Sequence, residues 1–298
     1  MKKNSAFSLI EISIVILVIG ILIAGITQST RLVKESGLMS ARSLTQSSPV
    51  TGIKDLMSWH ETSLKTSFDS NAQIDGSTIA TWYDNGKQST TQNNAIQGTI
   101  SLRPLFKEYI FDGAIPAVRF DGLDDYLYIS REISEDFTII AVFKTTGGST
   151  LTGTNWYGGA GIVDAEVVGA AKDFGLTIQK SGRILAGTGG NSDTTIFHNG
   201  LYNNGRAHMV FFTRTQSSGT IKLYADGGKT ALASSSSTGT SALTSPARIT
   251  FGSLQNLAAG RYLDGDVAEI IIYSRALTTE ERESIATYLS RKYKIKIT

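Results

Sequence analysis

The chain has 298 residues, 28 Lys and Arg against 26 Asp and Glu, and a formal net charge of +2. Nothing in that balance points to a nucleic-acid partner. Cysteine is absent, which removes disulfide staples, thiolate metal sites and cysteine nucleophiles, while a domain of this size can still be held together by burial alone, in an exported setting as well as elsewhere.

Met1 to Ala6 is short, polar and basic through Lys2 and Lys3. From Phe7 to Ile26 the chain reads FSLIEISIVILVIGILIAGI, with one formal charge, Glu11. At about 1.5 Å per residue a helix of that length crosses the hydrocarbon core of a bilayer. A secretory signal peptide has a shorter apolar part and a small-residue cleavage site just after it, and no such site follows Ile26. A plain anchor leaves Glu11 unexplained, because a carboxylate inside a membrane helix costs about 2.5–3.5 kcal/mol on insertion scales.

The run Ala6-Phe7-Ser8-Leu9-Ile10-Glu11 resembles the type IV prepilin signature. The resemblance implies that a prepilin peptidase cuts between Ala6 and Phe7, that Phe7 is then N-methylated, and that the apolar helix stays in the mature chain. Glu11 becomes its fifth residue and pairs with the N-terminal ammonium of a neighbouring subunit during assembly. Such a pair attracts strongly at low dielectric, which offsets the cost of burying each charge. The implied course is bacterial: inner membrane first, then an extracellular filament of like or related pilin subunits, or a periplasmic rod for a type II secretion pseudopilin. Ala6 stands where the family has Gly, and Gly20 and Gly25 interrupt the helix without the usual proline. Each glycine costs a helix about 1 kcal/mol and favours local melting in a filament.

Beyond Ile26 the helical pattern continues to about Leu44, with Leu32, Ser36, Met39 and Ser43 on one face and Arg31, Lys34 and Glu35 available for a wet face. Ser47-Ser48-Pro49 breaks it. The expected plan is a leader over 1–6, a transmembrane and assembly helix over 7–46, a linker over 47–54 and a head over 55–298.

The head reads as short alternating apolar runs between Gly, Asn, Asp and Ser turns, the pattern of a β-sandwich. Strands are predicted at 117–120, 126–129, 137–143, 174–179, 208–214, 221–225, 248–252 and 265–274. In one of them Phe137, Ile139, Ala141 and Phe143 share a face. Ala225-Asp226-Gly227-Gly228 reads as a tight hairpin turn, and Ala233–Pro246 as an exposed Ser/Thr-rich loop. Thr278 caps a last helix with Glu281 closing a capping box; Ile285, Tyr288 and Leu289 form its apolar face, and Arg291 and Lys292 suit its carboxyl end.

Four blocks in order, Pro116–Leu127 with Phe137-Thr138-Ile139, then Ile221–Gly227, then Tyr262–Thr278, resemble a laminin-G-like, concanavalin A-type jelly roll. The expected fold class is therefore mainly β: a long N-terminal α-helix, hydrophobic then amphipathic, followed by an antiparallel β-sandwich with a C-terminal helix.

Glycan-hydrolysing enzymes of that fold resemble one another in an E-x-D-x-x-E strand. The nearest acidic strand here is Asp264–Glu269, where Asp266 and Glu269, three apart, should point to opposite faces; turn residues and one solvated carboxylate are expected. Catalytic residues are therefore expected to be none, and a membrane-anchored glycan-active enzyme is the least favoured function. Asp121, Asp124 and Asp125 are weak Ca²⁺ candidates against a plain turn reading, and no other cofactor is expected. His60, His198 and His208 lack ligand spacing. Trp156 and Tyr157, in the Gly-rich run Asn155–Gly159, are the candidate ligand-binding residues: an exposed ring there would stack on a glycan, while a buried Trp156 would plug the sandwich. The leading expectation is a pilin or minor pilin whose head faces outward towards a glycan or surface protein, with no nucleic-acid partner.

Overall fold

The computed structural model describes residues 9–86, 88, 91–151, 153–169, 172–189 and 193–297. Helix α1 runs unbroken over Leu9–Gln46. Strands follow in chain order: β1 (Leu56–Glu61), β2 (Thr81–Trp82), β3 (Ala95–Ile96), β4 (Leu105–Phe111), β5 (Ile115–Asp121) and β6 (Leu127–Ser130). Next come β7 (Phe137–Lys144), β8 (Ala160–Asp164), β9 (Phe174–Ile178), β10 (Ile184–Thr188) and β11 (Thr194–His198). The last are β12 (Ala207–Thr215), β13 (Thr220–Ala225), β14 (Ala233–Ser235), β15 (Arg248–Phe251) and β16 (Asp264–Tyr273), before helix α2 (Thr279–Tyr293).

The strands form two antiparallel sheets. One has the order β14-β13-β12-β7-β16-β5-β4, with β1 also paired to β16; the other has the order β11-β10-β9-β8-β15-β6-β3-β2. The alternation read in β7 holds: Phe137, Ile139, Ala141 and Phe143 lie in the core between the sheets, while Ile140 and Val142 lie in a second core on the outer face of the first sheet. That outer face is covered by α2 and the end of α1, through Ala41, Ile285, Tyr288 and Leu289. The first sheet is thus buried on both sides, so β1 is buried at all six positions and shows no alternation.

Four local readings change. Asp226, at positive φ, opens a loop of several residues before β14 rather than a tight turn. The Ser/Thr-rich segment begins with β14, which pairs with β13. Asp266 and Glu269 lie on the same face, not opposite ones, because the register of β16 against β7 shifts between Val267 and Glu269. The bulge adds one residue and restores the outward direction. Neither carboxylate is solvated: Asp266 takes a bidentate pair from Arg119 at 2.7 and 2.6 Å, and Glu269 is 1% exposed.

Glu269 faces Lys292, which is buried rather than lying at a wet helix end. Lys292 Nζ donates to Glu61 Oε2 and to Glu269 Oε2, both at 2.9 Å. Glu61 and Glu269 sit directly opposite each other on β1 and β16, an arrangement that like charges oppose and that the ammonium between them reverses. Trp59 Nε1 and the hydroxyls of Tyr288 and Tyr293 donate to Glu269 at 2.7, 2.9 and 2.7 Å. Ser63 and Ser67 hydroxyls and the Leu64 amide donate to Glu61. Burial pushes the Glu61 carboxyl up, yet Lys292 and those hydroxyls hold it below its ordinary value. Burial likewise lowers Lys292, and Glu269 and Glu61 more than reverse it.

Helix α1 is fixed to this network. Thr45 Oγ1 lies 3.1 Å from Ser63 Oγ and 3.4 Å from Tyr288 hydroxyl, and Arg42 Nε donates to Ser63 carbonyl at 2.7 Å. Gly37 passes so close to the β4–β5 turn that a Cβ would lie 2.6 Å from that of Ala114. After the break at Pro49, Val50 is fully buried and its carbonyl accepts the Tyr273 hydroxyl at 2.9 Å.

Removing one partner of a buried ion network leaves an uncompensated charge, which costs about 3–5 kcal/mol. Lys292→Met should therefore lower unfolding free energy by about that amount in urea titrations. Lys229→Ala, which breaks the exposed 3.8 Å pair with Glu283, should change it by less than about 1 kcal/mol. Equal effects would refute a stabilising role for the buried trio.

Candidate functional site

The first half of α1 stands clear of the head. The candidate membrane span has a mean hydropathy of 2.9 over its best window, none of which is buried within the chain. Leu9, Ile16, Leu17, Ile21 and Ile26 are each more than 60% exposed, an apolar surface that water disfavours and a bilayer or a bundle of like helices accepts. Ser13 within the apolar run, and Thr27 and Thr30 just beyond it, donate their hydroxyls to carbonyls four residues back at 2.8–2.9 Å. Glu11 lies in the first turn, on the exposed surface. Ala6 and Phe7 lie outside the described residues.

Asp121, Asp124 and Asp125 follow β5 and each offers an oxygen within 4.8 Å of the others. The turn also engages two of these carboxylates: Asp121 Oδ1 accepts the Leu123 and Asp124 amides at 2.8 and 3.3 Å, and Asp125 Oδ2 accepts the Asp121 amide at 3.2 Å. Burial and the neighbouring Asp121 push the Asp125 carboxyl up to about 7. The arrangement can take a proton or a hard cation to relieve the same crowding.

Trp156 is wholly buried in a one-turn 3-10 segment, Trp156–Gly158. Its ring lies flat on the outer face of the second sheet, where only glycine leaves room: a Cβ on Gly187 would lie 2.0 Å from the ring and one on Gly175 2.6 Å. Thr177 Oγ1 donates to its carbonyl at 2.7 Å. The indole therefore plugs the sheet and presents no face for stacking on a glycan. Tyr157, beside it, is half-buried and edge-on to Trp156.

The same region holds a carboxyl group of three that sequence reasoning missed: Asp164 at the end of β8, Glu166 just beyond it and Asp173 before β9. They are 0%, 8% and 1% exposed. Asp164 Oδ1 accepts the Glu166 and Gln255 amides at 2.8 and 2.9 Å, while Oδ2 has no hydrogen-bond partner among the described residues. Burial, then Asp173, raises the Glu166 carboxyl to about 7, and burial also raises Asp164 and Asp173. The Asp-Ala-Glu spacing at 164–166 was the available signal. At 8% exposure or less, these groups are too enclosed to flank a glycosidic bond. His60 is buried between Trp82 and Phe251, and burial lowers its pKa to about 4, while His198 and His208 hydrogen-bond Tyr202 and Asp226.

The profile of the concanavalin A-like lectin/glucanases superfamily matches residues 120–281, more than half of the chain. The chain belongs to that superfamily. The prokaryotic N-terminal methylation motif matches residues 1–27, so this lectin-like domain follows a prepilin-type N-terminus. No curated protein matches the sequence. Among solved structures, the binding domain of botulinum neurotoxin serotype D is similar at a TM-score of 0.53 and 14% identity, covering 82% of this chain and 53% of that one. The CBM40 domain of a Ruminococcus gnavus sialidase, solved with sialyllactose, aligns at a TM-score of 0.40 and 17% identity over 52% of this chain and 83% of its own. At these identities the likeness is one of fold.

The pH dependence follows from Asp125. Its carboxyl is raised from 3.8 to about 7 in the folded chain, so the folded state holds a proton that the unfolded state has lost. The stabilisation is complete below 3.8 and disappears as pH rises through about 7. Asp125→Asn, neutral throughout, should flatten the fall in melting temperature over that window, and an unchanged slope would contradict the assignment.

Proposed function

We propose that the protein is a structural and adhesive subunit, a pilin or minor pilin, of a type IV pilus or related filament, assembled through α1 and displaying the sandwich as its binding head. The observation that carries the reading is the pairing of a methylation motif over residues 1–27 with a helix whose apolar first half is unburied among the described residues and whose second half is locked to the head. Membrane-embedded before assembly, that free half exchanges lipid for the helices of neighbouring subunits. Glu11 then finds the ammonium of methylated Phe7 on the subunit beside it, after a prepilin peptidase has cut between Ala6 and Phe7.

For the head, the lectin-like fold supports recognition of a glycan or a surface protein. The buried Trp156 moves the binding surface elsewhere, to half-buried Tyr157 and the loops around it.

Glu11→Ala tests the assembly role. Loss of one carboxylate in the apolar helix should leave membrane insertion unchanged or improved, while recovery of the subunit in sheared filaments should fall by about tenfold or more, the scale of one lost low-dielectric ion pair. Normal incorporation would refute the role of Glu11.

A further inference from the structure

The end of the head from which α1 emerges carries a basic cleft. Helices α1 and α2 are antiparallel: Thr45 lies by Tyr288, while the β4–β5 turn touches both Gly37 and Tyr293, through Phe111 at 5.4 Å between ring centroids. The carboxyl end of α2 therefore points towards the apolar half of α1. There Lys294 and Lys296 join Lys144 and Arg206 in lining a cleft of about 490 Å³. None of these four has a carboxylate within ion-pair distance among the described residues; the nearest contact of Lys144 Nζ is the Ile110 carbonyl at 3.4 Å. Two carboxylates also line the cleft, Asp112 and Asp226, the latter 2.7 Å from His208 Nδ1, so four basic groups face two acidic ones. Lys34, on α1 itself, sits over the Tyr109 ring 4.2 Å from its centroid, beside the same turn.

We infer that this cleft is a docking surface for the anionic phospholipid headgroups of the membrane that holds α1. The inference rests on the reading of α1 as a membrane anchor. Its apolar run ends at Ile26, and Gly37, where the helix meets the head, lies about 16 Å further along at 1.5 Å per residue. The headgroup layer fills about 5–8 Å of that span. The remaining gap is about one Debye length at physiological salt, and a modest tilt of α1 closes it. Unpaired ammonium and guanidinium groups at that height meet phosphates rather than water, each basic residue strengthening surface attachment by about fivefold. The head is thereby laid against the bilayer before assembly, and release from it accompanies entry into the filament.

The chain contains no cysteine, so Ile297→Cys, at a residue 46% exposed beside the cleft, gives a single labelling point. The full chain, carrying a fluorophore there, is reconstituted into phosphatidylcholine vesicles with or without phosphatidylglycerol, with a quencher attached to the headgroups. Quenching should appear with phosphatidylglycerol and be about fivefold or more weaker in phosphatidylcholine alone. It should also be lost in high salt and in the exposed double variant Arg206→Glu, Lys296→Glu. Equal quenching in both lipids would overturn the proposal, as would its abolition on anionic vesicles by inorganic phosphate at constant ionic strength, which would mark a free-anion site. A chain that alkaline carbonate washes from the vesicles fails the anchor reading, and the lipid proposal falls with it; an inserted chain without lipid dependence fails the lipid proposal alone.

Discussion

One ammonium placed between two carboxylates holds the architecture together. Lys292 reaches from α2 into the outer face of the first sheet and bridges Glu61 on β1 and Glu269 on β16, strands that would otherwise set two negative charges opposite each other. Burying three charges is expensive, and only dense hydrogen bonding offsets it. Trp59, Tyr288, Tyr293, Ser63 and Ser67 supply that bonding, and each belongs to an element that the network must then keep in place. The consequence reaches α1, since Thr45 meets both Ser63 and Tyr288. A domain without a disulfide thus obtains a fixed joint between its long helix and its sheets.

That joint gives the helix two mechanical halves. From about Lys34, which sits over the Tyr109 ring, α1 is part of the head; up to Ile26 the helix is a bare apolar rod, with a short polar stretch between them. A filament subunit needs this division, because a force applied through the rod must reach the displayed domain without bending at the boundary. Val50, buried directly after the helix break, shows that the segment between helix and sheet is packed rather than slack. The methylation motif over residues 1–27 and the lectin-like superfamily match over 120–281 occupy the two ends of this device.

Much of this was legible in the sequence where periodicity and chemistry agreed. The apolar run with its lone Glu11, the alternation in β7 and the capping box Thr278–Glu281 each state their structure locally. What failed to show was set by tertiary context. Strands β1, β8 and β10 are buried at every position, so no alternation marks them. The bulge after Val267 turned a correct spacing rule into a wrong face for Glu269. Lys292 looked like an ordinary cation at a helix end because nothing local shows that two carboxylates distant in the chain converge on it. Trp156 lay in a loop-like glycine run, yet the glycines that receive its ring are Gly175 and Gly187, far along the chain.

The central claim is that the chain is processed into a filament subunit rather than left as a membrane anchor. The most direct measurement is the intact mass and amino-terminal sequence of the mature protein recovered from the cell envelope or from filaments. The account predicts a chain that has lost Met1–Ala6 and begins at an N-methylated Phe7, with the whole of α1 retained. A mature protein that still carries Met1, or one cut beyond Ile26, would contradict it.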